Sequence, residues 1–329
     1  KSILTVAVLA TMAGHGAWAA ENKVVPEKAL INGVEKEAVI TGTKYTFGNN
    51  GDTAVFGNGE TDYGLAANSY VSPLDVNVLG KDISITGKFR AVYATWQVKK
   101  DDKVTVNIGN ENTESIFLNQ TGGLHKDGSS ALTILDKGTT ANVTAKKIKI
   151  VSNGTYAVNS SGLDDTQDTK TVLTLKGDSI EVQNTATEGV GLAAYSGGTL
   201  NVEGNLVVTA DHAIEARGNS ILNINKDGKH TTVLNGDVVI GTPGGPRSGK
   251  TLDTKLTLNL TGEGSSWTGN LIAQYPNKED NKLTPEQMEI KDTSITIADG
   301  AQWNVTKANE VTEGEDISKR IPVNNLAFS

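Results

Sequence analysis

The chain has 329 residues, of which 37% are hydrophobic and only 5% aromatic, with 36 glycines, no cysteine and a formal net charge of −8. No run of Lys and Arg builds the basic face that a phosphate polymer requires, since Lys99-Lys100 is followed at once by Asp101-Asp102, so nucleic acid is excluded as a partner. A length beyond one compact core, few large apolar side chains and moderate charge together favour a stack of repeats over a packed globule or a disordered chain.

Ser2 to Ala20 carries no formal charge. An apolar run from Ile3 to Ala10 precedes Gly14-His15-Gly16, and Ala17 and Ala19 supply the small residues that a signal peptidase reads. Residues 1–19 are expected to be a Sec signal peptide, because the apolar core is shorter than the ~20 residues a spanning helix needs. No Cys follows, which excludes a lipid anchor. Residues 20–75 are expected to form an irregular entry or capping region, with turn clusters at Gly48-Asn49-Asn50-Gly51 and Gly57-Asn58-Gly59.

From 76 to 329 the pattern becomes short strand, turn, short strand. Candidate strands centre on Ile83–Ile85, Val104–Val106, Leu132–Ile134, Ile148–Ile150, Leu173–Leu175, Ile180–Val182, Leu200–Val202, Leu206–Val208, Leu222–Ile224, Val238–Ile240, Leu256–Leu260 and Ile295–Ile297. Most alternate apolar and polar residues, with Gly, Asn and Asp between them. Leu173-x-Leu175-x-Gly177-x-x-Ile180-x-Val182 matches Leu200-x-Val202-x-Gly204-x-x-Val207-x-Thr209 at a constant displacement, and Leu222-Asn223-Ile224 repeats Leu200-Asn201-Val202. Trp267 and Trp303 mark a further repeat. Repeats of this size indicate a solenoid or a propeller. The strands are too short for a sandwich, few Asn-Gly or Asp-Gly pairs join strand runs as tight hairpins, and a blade needs more residues. The expectation is an all-β parallel β-helix over 76–329, with small residues such as Leu192-Ala193-Ala194 filling a narrow interior.

Several motifs carry chemistry only in the right context. Gly244-Gly245-Pro246-Arg247-Ser248-Gly249-Lys250-Thr251 satisfies the phosphate-loop pattern, but a strand-like segment follows where a helix is required. No nucleotide is expected to bind. Asp164, Asp165 and Asp168 read as a solvated loop, with acid/base or Ca²⁺ work in a polysaccharide lyase or hydrolase as the alternative. Scarce aromatics argue against a sugar-stacking cleft. His125, His212 and His230 are far apart, and Gly177-Asp178-Ser179 lacks the Gly that would follow a protease nucleophile. No catalytic, metal or cofactor site is expected. Trp267 and Trp303 are read as packing residues rather than ligand platforms.

Gly300-Ala301-Gln302-Trp303-Asn304-Val305-Thr306, followed by Val323-Asn324-Asn325-Leu326-Ala327-Phe328, resembles the passenger domains of bacterial autotransporters of the pertactin and AIDA type. Gly264-Ser265-Ser266-Trp267-Thr268-Gly269-Asn270-Leu271 is a weaker earlier copy. The resemblance covers the signal peptide and 76–329. It implies a right-handed parallel β-helix exported by Sec, carried across the outer membrane by its own C-terminal barrel, and displayed at the cell surface or released. It implies an adhesin, self-association module or stalk without catalysis, whose partners are host or bacterial surface molecules or further copies of itself. No barrel-like strand series precedes Ser329, so the chain is expected to be cut before the translocator.

Overall fold

The computed structural model describes residues 22–69, 73–96, 103–125, 128–162, 171–241, 254–274, 293–306 and 325–328. Strands hold 67% of these residues, none lies in a helix, and all 27 strands join one large mixed sheet. The chain is all-β, as its alternation predicts. The expected signal peptide, with Ala17 and Ala19, lies outside the described residues.

Most strands pair in parallel with a strand one repeat earlier and another one repeat later, which sorts them into three stacks. The first stack contains β5 (Lys44–Phe47), β8 (Leu74–Val78), β11 (Val104–Gly109), β14 (Thr139–Thr144), the start of β17 (Val172–Asn184), the start of β19 (Thr199–Arg217), β20 (Ile221–Ile224), β22 (Lys255–Thr261), β25 (Thr293–Ala298) and β27 (Asn325–Phe328). The second contains β6 (Thr53–Phe56), β9 (Asp82–Gly87), β12 (Ser115–Gln120), β15 (Lys147–Ser152), the end of β17, the middle of β19, the start of β21 (Thr232–Gly241), β23 (Ser266–Thr268) and β26 (Gln302–Asn304). The third contains β7 (Tyr63–Ser69), β10 (Arg90–Trp96), β13 (Ser130–Leu135), β16 (Tyr156–Ser161), β18 (Val190–Tyr195), the ends of β19 and β21, and β24 (Leu271–Gln274).

The alternating residues make the core by register. In the first stack Phe47, Val78, Ile108, Val143, Leu175, Val202, Ile224, Leu258 and Ile295 lie one above another, and all are buried. Phe56, Ile85, Leu118, Ile150, Val182, Val208, Leu234 and Trp267 do the same in the second. Each such side chain contributes about 1.5–3 kcal/mol by leaving water. The third stack uses Leu65, Val92, Leu132, Val158, Leu192, Ile214, Val238 and Leu271. Buried polar side chains satisfy the backbone at the corners. Gln120 Oε1 accepts from Ser152 Oγ at 3.0 Å and from the Asn153 amide at 2.9 Å, and Asn184 Nδ2 donates to the carbonyls of Gly154 and Val190, each at 3.0 Å.

Antiparallel pairing is confined, among the described residues, to the N-terminal segment. β1 (Lys23–Val25) runs against β7, β2 (Lys28–Ile31) against β6, and β4 (Val39–Thr41) against β5. A reversed strand therefore lies on the first strand of every stack. β3 (Val34–Glu37) folds back on β2 through Asn32-Gly33, whose φ values of 53° and 77° suit a tight two-residue turn. The segment expected to be irregular thus carries strands, and one Asn-Gly pair does join two of them directly.

The repeat match near Leu173 also needs a correction. Leu173 and Leu175 do lie in register with Leu200 and Val202, but the register then shifts, and Ile180 and Val182 meet Leu206 and Val208 rather than Val207 and Thr209. The second repeat is one residue shorter at Gly204, which takes a φ of 143°. Val207 consequently points outward and is 40% exposed.

Candidate functional site

Asp164, Asp165 and Asp168 and the Gly244–Thr251 segment lie outside the described residues. The structure keeps the histidines apart. His125 stands at the ring of Phe89, His212 pairs in register with Val190 and Asp237, and His230 sits in the turn before β21. No group of three His, Cys, Asp or Glu able to hold a metal forms among the described residues. Ser179 is in register with Lys147 and Asn205 inside the second stack.

Trp267 and Trp303 come together. They occupy successive rungs of the second stack, with ring centroids 4.4 Å apart and planes 3° from parallel. Trp267 is fully buried, and Trp303 packs half-buried against the core. Each indole Nε1 donates at 3.0 Å to a glycine carbonyl, Trp267 to Gly236 and Trp303 to Gly269. Both rings are thereby fixed as core members.

The outer surfaces of the three stacks differ in chemistry. The first presents a column of Thr46, Asn77, Asn107, Asn142, Thr174, Asn201, Asn223, Thr257 and Ser294. Its amides bond along the column, from Asn107 Nδ2 to Asn77 Oδ1 at 3.1 Å, Asn142 Nδ2 to Asn107 Oδ1 at 2.9 Å and Asn223 Nδ2 to Asn201 Oδ1 at 2.8 Å. The second carries cross-rung ion pairs, Lys146 with Glu114 at 2.7 Å and Lys149 with Glu181 at 2.9 Å. The hydrogen bond and charge of Glu114 raise the Lys146 ammonium above its ordinary value. A shallow depression of ≈ 270 Å³ lies beside Glu181, Gln183, Val207 and Thr209.

The third outer surface holds rings. Tyr63 lies 5.6 Å from Tyr93 and 5.9 Å from Phe89, and Phe89 lies 4.7 Å from His125. The buried Arg90 guanidinium sits over Phe89 at 4.5 Å and over Tyr93 at 4.2 Å, and donates to the Gly128 carbonyl at 3.0 Å. Farther along, Tyr156 meets Tyr195 at 5.5 Å, and Arg217 approaches the Tyr195 ring at 5.9 Å.

Comparison with family models, curated proteins and solved structures returns no match. The site must therefore be read from its own geometry. Arg217 forms an ion pair with Glu215, which is only 3% exposed, and His212 Nδ1 lies 3.9 Å from the same carboxylate. Loss of solvent pushes the Tyr195 phenol well above its ordinary value, with the nearby Tyr156 adding to the shift and Arg217 opposing it. Loss of solvent likewise lowers the Arg217 guanidinium.

Sequence reasoning weighed aromatics as a chain average and missed their placement. Of the half-buried outward rings, the first and second stacks hold only Phe117 among the described residues, since Tyr45 packs against the core. The usable sign was positional: Tyr63 and Tyr195 flank the matching segments Gly64-Leu65-Ala66-Ala67 and Gly191-Leu192-Ala193-Ala194, where small residues mark the third stack.

Proposed function

We propose that this chain is a surface-displayed or secreted passenger of the autotransporter type, a right-handed parallel β-helix working without catalysis as an adhesin, self-association module or structural stalk. Its partners in this reading are host or bacterial surface molecules, or further copies of itself. Sec export and the outer-membrane barrel remain part of the proposal. The observation that carries it is the register of Trp267 with Trp303, because the two segments on which the resemblance rests occupy successive rungs of one stack. Supporting it, strands from Lys44 onward visit the first, second and third stacks in turn and pair in parallel with the same stack one repeat later. Stacked coils of this kind make a stiff body with a long side surface, suited to display and recognition.

The reading is tested by expressing the full-length gene in its own host and treating intact cells with protease. Surface cleavage of this chain, with a periplasmic control protein left intact, is the expected result. Protection of the chain until the outer membrane is opened would overturn the display reading. A crystal structure of the purified protein tests the coil path independently, and a left-handed or hairpin-built path refutes the right-handed β-helix.

A further inference from the structure

We propose that Asn50 is a site of spontaneous covalent modification, where the chain converts its own side-chain amide to aspartate and isoaspartate through a cyclic imide formed with Gly51. An Asn followed by Gly is the pair best placed to react in this way, because the attacking main-chain nitrogen belongs to the one residue without a Cβ to obstruct it. The chain contains five such pairs, Asn32-Gly33, Asn50-Gly51, Asn58-Gly59, Asn153-Gly154 and Asn235-Gly236, and all five are among the described residues. The fold restrains four of them and leaves one open.

Asn32 is tied at both ends of its amide, with Nδ2 donating to Asp52 at 2.7 Å and Oδ1 accepting from the Thr53 amide at 2.8 Å. Asn58 Oδ1 accepts from the Glu60 amide at 3.0 Å, and the Gly59 carbonyl beside it accepts from Thr121 Oγ1 at 3.1 Å. The Gly154 N–H is committed to Ser152 Oγ at 3.0 Å in a buried corner. Asn235 stands inside β21, in register with Thr209 and Thr268, and a Cβ on Gly236 would lie 1.9 Å from the Ala210 carbonyl oxygen, so the main chain there has no room to swing. Asn50 is exposed in the turn Asn49–Asp52. That turn is closed by the Asp52 amide donating to the Asn49 carbonyl and the Asn49 amide donating to the Asp52 carboxylate, each at 2.9 Å. Both bonds hold the ends of the turn and leave the Asn50–Gly51 peptide between them. Nothing lies within 4 Å of where a Cβ on Gly51 would sit, and neither the Gly51 N–H nor Asn50 Nδ2 has a partner among the described residues. The one bond to the Asn50 side chain is accepted by Oδ1 from Asn110 Nδ2 at 2.8 Å. Oδ1 is the atom that gathers negative charge as nitrogen adds to Cγ, so this bond survives the attack.

The Gly51 nitrogen loses its proton to solvent base and bonds to Asn50 Cγ. The bond from Cγ to Nδ2 then breaks, and Nδ2 leaves as ammonia, taking a proton back from solvent. Water next adds across one of the two carbonyl–nitrogen bonds of the imide. Opening at Cγ gives aspartate, opening at the main-chain carbonyl gives isoaspartate, and nothing is oxidised or reduced. Either product places a new negative charge beside Asp52, and isoaspartate also adds a methylene to the main chain of the turn.

For the test, purified full-length chain is kept folded at mildly alkaline pH, and each Asn-Gly peptide is followed by mass after digestion, with isoaspartate read by enzymatic methylation. Asn50 should convert about tenfold or more faster than each of the other four, which must open locally before they react. Isoaspartate should exceed aspartate among the products, and the rate should rise with pH. Unfolding in guanidinium chloride should bring the five rates together. Gly51→Ala should slow conversion at Asn50 roughly tenfold and leave Asn153 and Asn235 unchanged. Faster conversion at any of the other four pairs in the folded chain overturns the proposal, as does an Asn50 peptide that keeps its mass. Aspartate formed without isoaspartate overturns the cyclic route.

Discussion

Gly204 shows how a single residue sets the register between successive repeats. A Cβ built there would lie 1.8 Å from the Gly177 carbonyl oxygen, and the φ of 143° is one that side chains rarely adopt. Gly204→Ala should therefore destabilise the chain by about 1–3 kcal/mol, read as a lower urea midpoint with unchanged far-UV circular dichroism. Trp267 carries two separable roles, volume and a hydrogen bond. Trp267→Phe keeps most of the volume and loses the bond to Gly236, so a cost of about 1–2 kcal/mol is expected, against about 3–5 kcal/mol for Trp267→Ala. Equal losses for the two variants would remove packing volume from the account, and an unchanged stability of Trp267→Phe would remove the hydrogen bond. Asp52 ties the N-terminal turns together, accepting from Asn32 Nδ2 at 2.7 Å and from the Asn49 amide at 2.9 Å. The Asn32 bond is the main reason its carboxyl sits below the ordinary 3.8. A depressed carboxyl stabilises the folded state above its ordinary value, and that contribution fades as pH falls through the folded value. Acidification below 3.8 should thus lower the protection of the Asn32 and Thr53 amides relative to free-peptide exchange at the same pH, and Asp52→Asn should abolish that pH dependence.

At the scale of elements, the first two stacks were legible from sequence because their strands have one face in and one face out. Val104–Gly109 and Lys255–Thr261 alternate buried with half-buried residues, as their sequences do. The third stack was much less legible. Tyr63–Ser69 and Val190–Tyr195 are buried on both sides, so Ala66, Ala193 and Val239 point outward and are still buried, and the period-two pattern vanishes. The rings of the third outer surface were missed for the same reason, since they stand at the border of a stack with no alternation to locate them. The reversed strands were hidden by composition: Val34-Glu35-Lys36-Glu37 is charged and wholly exposed, and nothing in it resembles a core strand. Those charges have a purpose on an edge strand. If β3 paired antiparallel with β3 of another copy about a two-fold axis centred on Lys36, residues of the same face would meet, setting Glu35 against Glu37 and Lys36 against Lys36. Replacing Glu35, Lys36 and Glu37 by Thr should leave the fold intact and produce concentration-dependent association in light scattering. A variant that stays monomeric at high concentration would show that the charges do not guard this edge.

For the whole molecule, stability should follow neighbouring repeats rather than one indivisible core. A chain ended after Gly241 retains the reversed strands and every pairing among β1 to β21, so it should fold by itself with a proportionately smaller urea m-value. Loss of all structure in that fragment would mean that the later repeats are required for the earlier ones. The corner connections carry a different consequence. Strands of the third stack return to the first through as little as Ser196–Gly198 or as much as the segment 275–292, yet the rungs on either side stay in step. Chain length and height along the axis are therefore uncoupled. The molecule acts as a graduated ruler: whatever is inserted at a corner stands a fixed whole number of steps from the closed end, however long the insert.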